Sequence, residues 1–124
     1  MMIDDMGYMK IRATVGCPDG ARLMEVEFLA DNGSWYMVLP PSIVRELGLS
    51  PVATRSLVLA DGRKLEAPLV VVYVKALEGE SIALAAVADS SEPLLGTSTL
   101  EDLGIAIDPT TGEARKVRAA GLML

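Results

Sequence analysis

The chain contains no histidine and one cysteine, Cys17, among its 124 residues. The first absence excludes Ser-His-Asp and Cys-His catalysis, histidine proton relays and histidine-ligated zinc. The second excludes an internal disulfide and a cysteine-rich metal site. Cys17 lies in the turn-like run Gly16-Cys17-Pro18-Asp19-Gly20 and reads as incidental rather than reactive. Hydrolytic chemistry therefore falls to Asp, Glu, Lys, Tyr, Ser or Thr. Basic residues are scarce as well, 11 against 17 acids, for a net charge of −6. That balance repels phosphate backbones and anionic lipid surfaces, so neither nucleic acid nor membrane is an expected partner. No apolar run approaches the roughly 20 residues that cross a bilayer, and no calcium-loop spacing occurs, so neither metal nor organic cofactor is implied. The opening residues 1–10 carry two acids before the first base and no apolar block. They do not resemble a secretory leader, and the expected location is cytoplasmic.

What is present is apolar residue in quantity, 51% of the chain, enough for one buried core in a single domain spanning 1–124. Residues 1–8 read as a loose leader. Residues 119–124 read equally as a frayed tail or as an apolar strand awaiting a partner, such as a dimer-interface strand.

Alternation with a period of two dominates. Ile11, Ala13 and Val15 share one face of a strand while Lys10, Arg12 and Thr14 share the other. After the turn residues Pro18, Asp19 and Gly20, the run from Arg22 to Ala30 sets Met24, Val26, Phe28 and Ala30 against Glu25 and Glu27, so the two runs are expected to pair as a hairpin. A second hairpin is signalled by Asp61-Gly62, which supplies the positive φ angles of a two-residue turn. The third joins the β-branched run 69–77 to 82–88 through a polar turn at 78–81, and is expected to be buried on both faces for much of its length.

Two short segments read as helix. Ser98 with Glu101 has capping-box spacing before Gly104, and Ser42 is placed to cap a similar turn ending at Gly48. These segments also repeat: VLPPSIVRELGL from Val38 and LLGTSTLEDLGI from Leu94 match in apolar positions, a serine and an acid-Leu-Gly ending, 56 positions apart (38 to 94). Two copies of one unit, hairpin then apolar loop then short helix, are implied. A local two-fold would bring the two apolar loops together at the centre of the sheet. The first is entered through Ala30-Asp31-Asn32-Gly33, which places an acid near that axis, where burial is costly unless its oxygens meet donors.

In this order of elements the chain resembles the retroviral-type (retropepsin-like) aspartic proteases, single-domain members of the pepsin superfamily. The resemblance rests on an apolar strand into Asp31-x-Gly33, the run ending Val38-Leu39-Pro40, a hairpin tip at Asp61-Gly62, a β-branched hairpin, and Leu94-Leu95-Gly96 before a short helix. It covers roughly residues 10–107. The resemblance implies an all-β, compact closed structure of the acid-protease type with two short helices. Each chain would form one domain, active as a two-fold homodimer. It implies Asp31 as the catalytic acid contributed by each chain, Asn32, Gly33 and Ser34 as the active-site loop, and Asp61, Gly62 and Arg63 as the tip of a flap. Asp89, Ser90 and Ser91 would border the substrate groove, with Leu94, Leu95 and Gly96 as the strand behind the site. The activity implied is endopeptidase cleavage of extended peptide or unfolded protein.

Two departures stand out. Asn32 occupies the place where the family carries Thr or Ser, and Thr97 and Trp35 occupy the places of an Arg and an acid that pair in retroviral members. Asn32 motivates an alternative, a catalytically weak or inactive member serving as a dimerisation or peptide-binding module. A more distant alternative is an unrelated small barrel, because Asp-Asn-Gly is good turn chemistry in any protein. By the same token Asp61-Gly62 also fits a plain surface hairpin. Asp89 follows Asp31 by 58 positions (31 to 89) and lacks a following Gly, so it reads as a loop acid. Trp35, the one tryptophan, is expected in the core or at an interface.

Overall fold

The computed structural model describes residues 8–31, 34–58, 62–89, 92–108, 110–111 and 113–117. Within them lie nine strands and two helices. In chain order these are β1 (Tyr8–Gly16), β2 (Leu23–Asp31), β3 (Met37–Leu39), α1 (Pro41–Leu47), β4 (Ala53–Val58) and β5 (Lys64–Ala76). There follow β6 (Gly79–Val87), β7 (Leu94–Leu95), α2 (Thr97–Leu103), β8 (Ile105–Ile107) and β9 (Ala114–Lys116).

The sheet runs β1-β2-β7-β3-β6-β5-β4, and β1 pairs again with β5 through Thr14↔Lys75, Val15↔Val74 and Gly16↔Tyr73. Six strands thus close on themselves and β4 stands outside the ring, which is the closed all-β structure expected. Alternation along β1 and β2 works as the sequence reads: Ile11, Ala13, Val15, Val26, Phe28 and Ala30 are buried. Phe28, the one phenylalanine, is wholly enclosed, which alone stabilises the fold by about 1.5–3 kcal/mol relative to an exposed ring. The helices add Val44 and Leu47 from α1 and Leu100 and Leu103 from α2 to the same core.

Several local expectations need correction. The first strand begins at Tyr8, inside the segment read as a loose leader; residues 1–7 and 119–124 lie outside the described residues. A two-residue turn at Asp61-Gly62 would pair Val58 with Leu65, whereas the ladder pairs Val58 with Lys64 and Arg63 is already outside the strand. Gly62 does take a positive φ of 88°. The third hairpin turns at Leu77-Glu78, between Ala76 and Gly79, and not at the polar 78–81 run. Both turn residues have positive φ, 48° and 71°, the pattern of a type I′ turn without its usual Asn or Gly. This hairpin buries Leu69 and Val70 in succession but leaves Ile82 and Leu84 of β6 exposed, so one face of β6 is open.

Neither helix is capped by the serine assigned to it. The N-caps are Pro40 and Gly96 with no side-chain cap bond, and Ser42 and Ser98 fall one residue inside the helix start. Both C-caps are as expected: Gly48 and Gly104 are left-handed, at φ 69° and 72°, each returning its N–H to the last helical carbonyls. The sequence gives no clear notice of the β8–β9 pair, although its turn chemistry is visible in Asp108 and Thr110: the Thr110 amide donates to Asp108 Oδ1 at 2.8 Å.

The repeat survives in three dimensions. Val38 and Leu94, equivalent in the two halves, face each other as an antiparallel pair between β3 and β7. Each of these strands also runs parallel to a strand of the other half, β2 with β7 and β3 with β6. Equivalent residues that pair antiparallel lie about a local two-fold, and that axis passes through the centre of the sheet.

Candidate active site

The end of β2 is fixed by its neighbours. Leu29 and Ala30 pair in parallel with Leu94 and Leu95, the Leu29 amide donates to the Pro93 carbonyl at 2.9 Å, and the backbone of Asp31 pairs with Tyr8 at the far end of β1. Asp31 is thus the last residue of a strand anchored on both edges. Asn32 and Gly33 lie outside the described residues.

From Ser34 the chain returns along a limb, 34–36, into β3. The start of α2 grips this limb. Thr97 donates its amide to Ser34 O at 2.7 Å, and Trp35 O accepts both the Ser98 amide at 3.1 Å and the Ser98 hydroxyl at 2.6 Å. The Ser34 hydroxyl adds a bond within the limb, to Tyr36 O at 2.9 Å. The limb lies so close to Gly96 that a Cβ there would fall 2.4 Å from Tyr36 O, 2.6 Å from Trp35 O and 2.7 Å from Ser34 O. Since Gly96 has an ordinary φ of −89°, close approach and not backbone conformation demands glycine.

Leu95 and Gly96 are buried and Leu94 is half-buried, and Gly96 packs against the backbone of the limb. Trp35 does not enter the core. It is 59% exposed and borders a depression with Tyr36, Ile82, Leu84, Ser98 and Asp102. Its backbone carbonyl is engaged while the indole is left to solvent.

The β4–β5 hairpin stands over a separate hollow. Arg63, Leu65 and Pro68 on one side and Pro41, Val87, Ala88 and Asp89 on the other line a cavity of about 520 Å3. Two of the predicted residues, Arg63 from the hairpin tip and Asp89 from the groove, therefore border one space. Asp61, Ser90 and Ser91 lie outside the described residues, and Gly62 is exposed at the tip. The hairpin is also tied to the limb: Arg55 of β4 donates to the Tyr36 hydroxyl at 2.8 Å and its guanidinium stands 6.0 Å from the ring centre. Sequence reading passed over this contact, because nothing in the pattern around Arg55 or Tyr36 marks a partner 19 positions away.

Chemically the cavity walls offer the Asp89 carboxylate and the Arg63 guanidinium among apolar side chains. Among the described residues no three His, Cys, Asp or Glu side chains are grouped to hold a metal ion, and no helix is long and apolar enough to cross a membrane.

No family model matches the chain, and no curated protein matches its sequence. Its fold does have a solved counterpart. The structure titled EIAV protease complexed with the inhibitor HBY-793 superposes with a TM-score of 0.62 at 18% identity, covering 84% of this chain and 95% of that one. The chain thus has the fold of a retroviral protease.

Proposed function

We propose that this protein is an aspartic endopeptidase that works as a two-fold homodimer, with Asp31 of each chain supplying one carboxylate. The observation that carries the reading is the interlock at the sheet centre. A strand ends at Asp31, and the limb that follows it is clamped around Gly96 by the start of α2, within the fold of a retroviral protease. A loop held in this way can present an acid with little reorganisation.

Two carboxylates ~3 Å apart at an effective dielectric of ~20 repel by about 5 kcal/mol, so one takes up a proton. The ionised member then draws a proton from a water molecule while the protonated member donates to the carbonyl oxygen under attack, general acid-base hydrolysis without histidine. Substrate would be extended peptide or unfolded protein lying beneath the β4–β5 hairpin, with side chains in alternate pockets such as the cavity between Leu65 and Val87. Asn32 favours a second reading, the same fold acting as a dimerisation or peptide-binding module without turnover, since its planar amide is longer than a hydroxyl.

Solution mass together with cleavage of unfolded protein by wild type and Asp31→Asn, from about pH 3 to 7, separates the readings. The enzyme is a dimer, cuts, and loses cutting in the variant. A dimer in which neither form cuts supports the module, and a monomer that neither cuts nor binds peptide removes both.

A further inference from the structure

We infer that Ser98 is a positioning residue for the active-site loop, its hydroxyl locking the limb that returns from Asp31. The inference rests on the protease reading for its catalytic consequence, though not for the geometry. Ser98 has the sequence context of a helix cap, yet Gly96 is the cap of α2 and receives no side-chain bond. The hydroxyl instead reaches 63 positions back in the chain to Trp35 O, at 2.6 Å. That oxygen also accepts the Ser98 amide at 3.1 Å.

A carbonyl oxygen has two lone pairs. With both engaged by one residue, Trp35 O is held in two directions and the peptide plane cannot rock about a single bond. The Thr97 amide holds the preceding carbonyl, of Ser34, and Gly96 leaves no gap beneath either. The limb starts three positions after Asp31, so an error in its placement is passed along a short length of chain to the acid. The cavity lined by Leu65, Val87 and Asp89 belongs to other elements. Loss of the hydroxyl is therefore expected to disturb the alignment of the acid more than the binding of substrate.

Trp35 provides a second, non-catalytic readout, because it is the one tryptophan in the sequence and the residue is 59% exposed. The test compares Ser98→Ala and Ser98→Thr in the full chain. It measures kcat and KM on an unfolded-protein or peptide substrate, and acrylamide quenching of tryptophan fluorescence. Ser98→Ala is expected to lower kcat about tenfold with KM changed less than about twofold, since small misplacements of reacting groups are costly. It is also expected to raise quenching of Trp35. Ser98→Thr, which keeps the hydroxyl, is expected to restore both.

Unchanged kcat or unchanged quenching in Ser98→Ala overturns the inference, and so does a Ser98→Thr protein as impaired as the alanine form. If wild type cuts nothing, the protease reading fails by itself. The quenching comparison then still decides whether the hydroxyl holds the limb: a rise in Ser98→Ala reversed in Ser98→Thr upholds the clamp, and no rise refutes it.

Discussion

Replacing Gly96 by alanine adds a single methyl group at the most crowded point of the sheet centre. The backbone there has φ −89°, which alanine adopts freely, so no conformational penalty is expected. The penalty is steric: the new carbon would lie 2.4–2.7 Å from three carbonyl oxygens, all of them backbone, which cannot swing aside as a side-chain end can. Overpacking of this kind costs about 1–3 kcal/mol. The oxygens that must retreat are those bonded to the Thr97 amide and to the Ser98 amide and hydroxyl, and each weakened bond adds about 1 kcal/mol. A total of about 4–6 kcal/mol follows, a large share of the 5–15 kcal/mol that holds a typical domain. In a thermal melt this is a fall of at least about 10 °C. Gly62→Ala is the control, because its φ of 88° disfavours alanine while nothing lies within 4 Å of the added carbon; it is expected to cost only about 1–2 kcal/mol. A Gly96→Ala protein that melts with wild type, or with Gly62→Ala, would show that the limb does not press on Gly96 and that the clamp is misdescribed.

Other perturbations test separate parts of the fold. Changing Leu77-Glu78 to Asn-Gly relieves two residues held at positive φ and is expected to stabilise by about 1–2 kcal/mol in urea unfolding; no gain would mean the turn is unstrained. Thr99 is buried with its hydroxyl unpartnered, so Thr99→Val, close in shape, is expected to raise stability by about 1 kcal/mol, and a loss would reveal a partner such as a bound water. Asp108 is held below its ordinary pKa of 3.8, first by the Thr110 amide; desolvation, next in size, opposes this, and the Thr111 amide, the Arg115 charge and the Thr110 hydroxyl lower it further. A folded pKa below the unfolded one makes its contribution complete above about pH 3.8 and lost as pH falls through the folded value. Amide-exchange protection of β8 and β9 should therefore weaken below that pH in wild type, and an Asp108→Asn chain should lack this step.

The sequence was most legible where one face of a strand meets the core. The alternation of Ile11, Ala13 and Val15 against Lys10, Arg12 and Thr14 is a local record of burial, and β1 and β2 follow it residue by residue. Order and spacing of the repeated loops also point to their meeting at the sheet centre, where Val38 pairs with Leu94. Side-chain hydrogen bonding was not legible, because a hydroxyl has several partners within reach and local pattern names only the nearest. Ser98 carries the signature of a capping box and spends its hydroxyl on Trp35 instead. Turn position failed for a related reason: Leu77 and Glu78 are poor turn formers, and the pairing of β5 with β6 along its whole length sets the turn there regardless. Trp35 is not in the core of its own chain: backbone bonds set the limb's direction and leave the residue exposed, so of the two expected places only an interface remains open to it.

The internal repeat also bears on why the proposed enzyme needs two chains. Gly96 has its equivalent 56 positions earlier in Pro40, and each residue precedes its helix at the N-cap. Gly96 admits three carbonyl oxygens to the space a side chain would fill. Pro40 carries a ring where Gly96 has no side chain, and it offers no N–H. Nor does Asp89 carry the glycine that comes two positions after Asp31. The two halves share strand order and helix caps, but the residues that let a loop settle tightly against its neighbour occur in one half only. On the proposed reading, the second of the two matched loops comes from another copy of the chain. Wild-type cleavage offers a direct check: it is expected to depend on protein concentration as a dimer's does, whereas cleavage by a monomer would show that one chain suffices.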